Sequence, residues 1–279
     1  GIQAKLKISQ PRDIYEQDMA RWTIATFNVN SLRSRLPVLE RWLESTPADV
    51  LCLQETKVTD GDFPLDAVQS LGYRAIYRGE KAYNGVAILT KAPMEGYAFG
   101  FGDGEEPDGG ARVVRGRIGD LCIINTYVPQ GKAIDNPDYV YKHRFLDRFR
   151  ALLDREYLTT EKILWVGDMN VAPTDMDVTS PEKKRDHPCF APDIREHFEA
   201  VKSWGFSDVF RKHRPGPGEF SFFDYRVKGA LERNIGWRID HILATPTLEA
   251  ASVDCFVDRA PRGWERPSDH TPVVVRFDL

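Results

Sequence analysis

Short, largely apolar runs rich in branched residues recur along the chain. Residues 21 to 29 alternate and then continue apolar, and Val50 to Leu53, Val86 to Leu89, Leu121 to Val128 and Ile163 to Val166 follow. Ile239 to Ala244, Val253 to Val257 and Pro272 to Phe277 complete the series. Runs of this length and makeup predict buried strands. Between some of them the apolar positions take a helical period instead. After Ser31, the positions of Leu36, Leu39, Trp42 and Leu43 predict a helix with Pro37 in its first turn, where a missing N–H is tolerated. Phe145, Leu146, Phe149, Leu152 and Leu153 mark one face of a helix over Asp138 to Tyr157. Ile194, Phe198, Val201 and Trp204 do the same over Pro192 to Trp204, with Gly205 as C-cap.

Strands in both halves with helices between them predict an α/β layered fold. Pro/Gly-rich stretches at Gly100 to Gly110 and Pro215 to Gly218 read as loops, because strand signals resume on either side. A single domain over residues 21–279 is therefore expected, with no short repeat and no low-complexity stretch. Residues 1–20 stand apart. They carry no core strand, and Met19 offers a natural start. We expect an N-terminal extension there, disordered or left over from cloning, without a catalytic role.

Composition narrows the class. Of 279 residues, 42% are hydrophobic and 29% charged, which suits a globular protein. No apolar run approaches the roughly 20 residues of a membrane span, so no membrane partner is expected. The first residues lack the apolar core of a signal peptide. The four cysteines, Cys52, Cys122, Cys189 and Cys255, are scattered and form no close pair, which argues against zinc and disulfides. A reducing cytoplasm is the expected location. No apolar helix face is left over, which points to a monomer.

The net charge of −4 argues weakly against a nucleic-acid partner. Two considerations soften this. Acidic residues that hold a metal are neutralised locally. Basic residues also cluster, at Arg33 and Arg35, Lys183 to Arg185, Arg211 to Arg214, and Arg226 with Lys228. A solvated surface is the plainer reading of any one cluster.

Polar groups sit at the ends of the expected strands: Asn28 and Asn30 in FNVNSLR, Glu55 in LQETK, Tyr127 in NTYVPQG, Asp168 and Asn170 in GDMN, and Asp240, Asp269 and His270 in RIDHIL and SDH. A rigid strand end can aim such side chains into a cleft. Phosphodiester hydrolysis needs what they offer. A hard divalent cation, which prefers oxygen ligands, can be held by Glu55 and Asp269 with neutral oxygens from the asparagines. A carboxylate such as Asp168, or a His–carboxylate pair, can orient or deprotonate water. His270, Asn170 and the Tyr127 hydroxyl can support charge that develops on phosphate oxygens. Each has a duller alternative alone: helix caps for Asn28 and Asn30, a surface charge for Glu55, a turn residue for Asp168, a core-edge aromatic for Tyr127, an ion pair for Asp240, a strand cap for His270. Their joint placement beside apolar runs is hard to read as decoration.

The stretches FNVNSLRSR, VLCLQETKV, YNGVAILTK, INTYVPQG, GDMNVAPTDMD, GFSDVFR, FSFFDYR, WRIDHILAT and SDHTPV together resemble the exonuclease III family of AP endonucleases, within the endonuclease/exonuclease/phosphatase superfamily. The resemblance runs from about residue 21 to the C-terminus. It implies a four-layer α/β sandwich of the DNase I type, with two mixed sheets face to face and helices outside. It implies a DNA repair nuclease that incises 5′ to abasic sites in double-stranded DNA and acts as 3′→5′ exonuclease, 3′-phosphodiesterase and 3′-phosphatase. By resemblance, Glu55, Asn28, Asn30 and Asp269 hold Mg²⁺, with Mn²⁺ as substitute. Asp168 activates water, Asn170 and Tyr127 touch phosphate, and His270 is steered by Asp240. Phe222 and Trp237 match positions that line a pocket for the flipped, base-free sugar. Phe222 stands where bacterial members commonly carry Trp. Arg33, Lys183, Lys184, Arg185, Arg211 and Arg226 are candidate DNA contacts. Lipid and inositol phosphatases share parts of this pattern, and a non-catalytic DNA-binding descendant is a further alternative. QETK, YVPQG and FSFFDYR favour the repair enzymes.

Overall fold

The computed structural model describes residues 20 to 279, so the extension expected over residues 1–20 lies outside the described residues except for Ala20. Ala20 exchanges backbone hydrogen bonds with Leu279 at 2.8 and 3.0 Å. The strands are β1 (Arg21–Asn28), β2 (Val50–Gln54), β3 (Arg74–Arg78), β4 (Val86–Thr90), β5 (Glu95–Phe99), β6 (Val113–Ile118), β7 (Leu121–Tyr127), β8 (Lys162–Asp168), β9 (Ser207–Asp208), β10 (Asp240–Ala244), β11 (Ser252–Val257) and β12 (Val273–Asp278). The helices are α1 (Leu32–Ser45), α2 (Leu65–Ser70), α3 (Pro137–Glu156), α4 (Pro192–Lys202), α5 (Val209–His213) and α6 (Pro246–Ala250). Every expected strand and helix is present.

The strands form two six-stranded sheets, ordered β11-β12-β1-β2-β4-β3 and β5-β6-β7-β8-β10-β9. The pairing repeats between them. A parallel pair joined through a helix, β1-α1-β2 or β7-α3-β8, lies at each centre, and all other pairs are antiparallel. Ile24, Val50, Cys52 and Ile88 of the first sheet meet Val114, Ile123, Leu164, Val166 and Ile242 of the second in one core. On its outer face the first sheet packs Leu39, Trp42 and Leu43 of α1, and the second packs Phe145, Phe149, Ile194 and Phe198 of α3 and α4. This is the four-layer sandwich the resemblance implied. All four cysteines are buried and free. Among the described residues, no helix is long and apolar enough to cross a membrane.

Two local expectations change. Pro37 is the sixth residue of α1, not part of its first turn. The helix begins at Leu32, so the proline removes a bond to the exposed carbonyl of Arg33, where water can substitute. The helix α4 ends earlier than expected, with Ser203 as its C-cap, and Gly205 follows at φ 157°.

Behind β8 and β10 lies a buried ion network. Arg238 donates to Asp177 at 2.7 Å and to Asp208 at 2.7 and 3.2 Å. Arg211, expected among DNA contacts, instead pairs with Asp177, and its side chain is only 21% exposed. Burial pushes the Asp208 carboxyl up, but the charge and hydrogen bonds of Arg238 outweigh this and hold it at about 2. A folded-state value below the unfolded one, about 3.9, contributes stability above that pH, lost as pH falls toward 2. Removing one partner strands a buried charge, so Asp208→Asn is expected to destabilise the fold by about 3–5 kcal/mol at neutral pH. It should also flatten the acid loss of stability below about pH 4. Urea unfolding across pH checks both, and unchanged midpoints at neutral pH would count against the network.

Candidate active site

The topology delivers the site. β1 and β2 run parallel, as do β7 and β8, so all end at one rim of the sandwich. β10 and β12 run antiparallel to β8 and β1, so they begin at that rim. Asn28 closes β1, Glu55 follows β2, Tyr127 closes β7, Asp168 closes β8, Asp240 opens β10, and His270 precedes β12. Asp168 sits between Tyr127 and Asp240 in register. Left-handed backbone at non-glycine residues concentrates here: Asn30 (φ 43°), Ser31 (82°), Glu55 (50°), Lys57 (54°) and Asn170 (49°). Such conformations cost energy and persist where the surroundings impose them.

Both sheets contribute carboxylates to one buried cluster. Asn28 Nδ2 donates to Glu55 Oε1 and to Asp168 Oδ2, each at 2.9 Å. Asp168 Oδ1 accepts the Asn170 N–H at 3.0 Å. His270 Nδ1 donates to Asp240 Oδ2 at 2.8 Å, and its Nε2 faces Asp168 Oδ2 at 3.6 Å. Ser221 donates to the same Asp240 oxygen at 2.7 Å and accepts the N–H groups of Ile239 and Asp240. Asn170 Nδ2 donates to Val128 O at 2.8 Å. On the outer side Asn30 bonds Asp269 at 3.3 Å and accepts from Lys57 at 2.6 Å. The structure therefore brings together all the residues expected to be catalytic or metal-binding.

Charge is out of balance in this cluster. Burial, with Asp240 and Glu55 nearby, raises the Asp168 carboxyl to about 7, against the opposing pull of His270 and Asn28. Burial alone would lower His270, but Asp240 and Asp168 outweigh it and raise the imidazole to about 10. Burial and the neighbouring Glu55 and Asp168 keep the Tyr127 phenol protonated well beyond its usual range. One imidazolium thus faces several carboxylates, a donor set that suits a hard cation. Ligand atoms of Glu55, Asp168 and His270 all lie within 4.8 Å of one another. This differs from the expected set at Asn28, which turns its amide N–H groups to the carboxylates and acts as a clamp.

Residues 25–270 match the model of the Endonuclease/Exonuclease/phosphatase family. The chain belongs to this family. It is 36% identical to exodeoxyribonuclease III of Haemophilus influenzae over 90% of this chain and 98% of that one. Its fold matches the AP endonuclease of Archaeoglobus fulgidus with TM-score 0.90 and 45% identity, covering 92% of this chain and all of the other. The 3′ phosphatase NExo from Neisseria, solved bound to product DNA hairpin, matches with TM-score 0.87 and 36% identity over 92% of this chain and all of the other.

Glu55, Tyr127, Asp168, Asn170, Asp269 and His270 line a cleft of about 530 Å³. Phe222 and Trp237 form one wall, their backbones paired by hydrogen bonds of 2.9 and 3.0 Å. The Phe222 ring lies 4.9 Å from that of His270. His187, Cys189 and Ile239 also line the cleft and were not among the expected site residues. The His187 ring lies 4.5 Å from that of Trp237, tilted by 45°, and His187 accepts the Cys189 N–H at Nδ1. Arg226 lines the cleft, and Lys184 lies over Trp237. Lys183 and Arg185 line an adjoining hollow, and Arg33 is exposed at the start of α1. Also missed were Ser221 and Ser268, whose hydroxyls tie Asp240 and the Asn28 carbonyl to the His270 turn. Only the serine of SDH carried any local signal.

The charge balance is open to titration. In metal-free protein His270 is expected to stay protonated beyond about pH 8, and in Asp240→Asn to titrate at lower pH. NMR of the histidine Cε1 protons reads both. A wild-type His270 already neutral at about pH 7 would contradict the pairing with Asp240.

Proposed function

We propose that this chain is a metal-dependent DNA repair nuclease that incises 5′ to abasic sites and trims or cleans 3′ ends as exonuclease, phosphodiesterase and phosphatase. The observation that carries the proposal is the Asp240–His270–Asp168 chain facing Glu55 in one cleft with an aromatic wall. Relatives named as exodeoxyribonuclease III and AP endonuclease support it.

Glu55 and Asp269, with Asn30, would hold Mg²⁺ or Mn²⁺. When bound, the cation neutralises the scissile phosphate and supports the leaving 3′ oxygen. Asn28 spaces Glu55 from Asp168. Asp168, oriented by the Asn170 N–H, positions attacking water and accepts its proton. His270, kept cationic by Asp240, and the protonated Tyr127 stabilise charge on the phosphate oxygens. Asn170 fixes the opposite side of the phosphate. Phe222 and Trp237, with Ile239, form a wall fitted to a sugar without its base. Lys183, Lys184, Arg185, Arg226 and Arg33 are the candidate contacts to phosphates of double-stranded DNA, whereas Arg211 belongs to the buried network.

A labelled duplex with one abasic-site analogue tests this. We expect incision 5′ to the site with Mg²⁺, none with EDTA, and a loss of about 10²- to 10⁴-fold for Asp168→Asn. Metal-dependent removal of a 3′ phosphate without incision would move the specialisation to end cleaning. No activity on any DNA would overturn the reading. Replacing Phe222 and Trp237 together by Ala should reduce abasic incision about 10-fold more than 3′-phosphate removal, and equal losses would sink the pocket assignment.

A further inference from the structure

Lys142 projects from α3 into the protein with no exposed surface. Its ammonium donates to three backbone carbonyls: Asn170 O at 2.6 Å, Pro188 O at 2.8 Å and Gln130 O at 3.2 Å. An ammonium has three donors, and the three carbonyls use them all. Cys189 Sγ lies 3.8 Å away. Among the described residues, no carboxylate pairs with it. A buried cation without a carboxylate partner is costly, so its persistence asks for a reason.

The three carbonyls come from separate loops, each lining the cleft through Gln130, Asn170 or Cys189. Asn170 holds a left-handed backbone at φ 49°, and the same residue reaches Val128 O with its side chain. Gly131, beside Gln130, holds φ 95°, a backbone that side-chain-bearing residues rarely adopt, and packs against Tyr139, Lys142 and Pro188. The metal-facing residues Asn30, Glu55 and Asp269, and the Asn28 clamp between the carboxylates, make no bond to Lys142.

We propose that Lys142 is a positioning residue that locks the phosphate-contacting loops of the second sheet into one wall, independently of the metal-facing wall. The inference rests on the nuclease reading above. Loss of the ammonium leaves the buried carbonyls of Asn170 and Pro188 and the part-buried one of Gln130 unpaired, and lets Asn170 and the loop ahead of Cys189 shift. Displacement of about 1 Å at a reacting group costs on the order of 10²-fold in rate.

The test compares Lys142→Met with wild type on abasic and 3′-phosphate duplexes. We expect kcat per folded molecule to fall about 10²-fold, while the Mg²⁺ concentration for half activation stays within about two-fold. Hydrogen–deuterium exchange without DNA, on Lys142→Gln, reads the loops directly. Exchange should rise over residues 128–132 and 168–190 and stay unchanged over 28–32 and 53–57. A kcat within about two-fold of wild type overturns the proposal, as does exchange that rises evenly through both sheets. If neither variant folds, Lys142 is a requirement of the fold and the proposal is wrong. An inactive wild type would refute the nuclease reading alone, since the exchange pattern still decides the role of Lys142.

Discussion

The Asn28 amide touches a carboxylate from each sheet, Glu55 on one side and Asp168 on the other. That contact is possible only if the two sheets meet at a set distance and register. A polar bridge beneath it holds them there. Gln54 Nε2 donates to Thr26 on its own sheet and to Asn125 across the core, and Asn125 returns its amide to the carbonyls of Leu53 and Ala87. Apolar packing between sheets is non-directional and tolerates sliding. Buried hydrogen bonds do not, because a shifted partner leaves a polar group unpaired. The two halves of the site therefore inherit their spacing from a few amides in an otherwise apolar layer.

The molecule buries charge in two contrasting ways. Behind β8 and β10, Arg238 and Arg211 face Asp177 and Asp208, so cations and anions balance. The His241 ring continues that network to the Val171 carbonyl, just past Asn170. At the rim, one histidine faces Asp168, Asp240 and Glu55, and Asp168 is raised to about 7. The balanced network stabilises; the unbalanced one costs stability and creates demand for a cation and for an anion-accepting proton donor. Asp240 belongs to the rim cluster, although its chain neighbours Arg238 and His241 belong to the balanced network. The strained backbone at Asn30, Glu55 and Asn170 adds to the cost at the rim.

Much of this was legible from the sequence because the site is built on strand ends. An apolar run predicts a buried strand, and the polar residue at its end must then face solvent or a cleft. The strands that went unread lack such runs. β3 (RAIYR) and β5 (EGYAF) lie at sheet edges with half-exposed faces, β6 (VVRGRI) is broken by arginine and glycine, and β9 has two residues. The helices α2, α5 and α6 have five or six residues, too few to show a period. Inside the site, residue types were readable and their partners were not. Ser268 reaches Asn28 across 240 positions, and Lys142 reaches Asn170 and Pro188 across 28 and 46. Arg211 and Arg35 read as surface cations by composition. The first closes an ion network and the second ties the carbonyls of Val29, Asn30 and Arg266.

The net charge of −4 looked unfavourable for a protein that handles a polyanion. The arrangement of charge removes the conflict. Acidic groups of the rim sit inside the cleft, where the cation of the proposed function would cancel them before phosphate arrives. Asp177 and Asp208 are already cancelled by buried arginines. The cations left at the surface around the cleft, Lys183, Lys184, Arg185 and Arg226, would then meet the DNA of the proposed function with less opposition than the whole-chain sum suggests. Even there, Arg185 and Arg226 carry acidic partners, at 3.2 Å from Asp175 and 2.8 Å from Asp224. Exposed pairs of this kind are weak and are exchanged readily for phosphate. They hold the arginines near the cleft without fixing them, which suits a surface that must accept both intact duplex and a 3′ end.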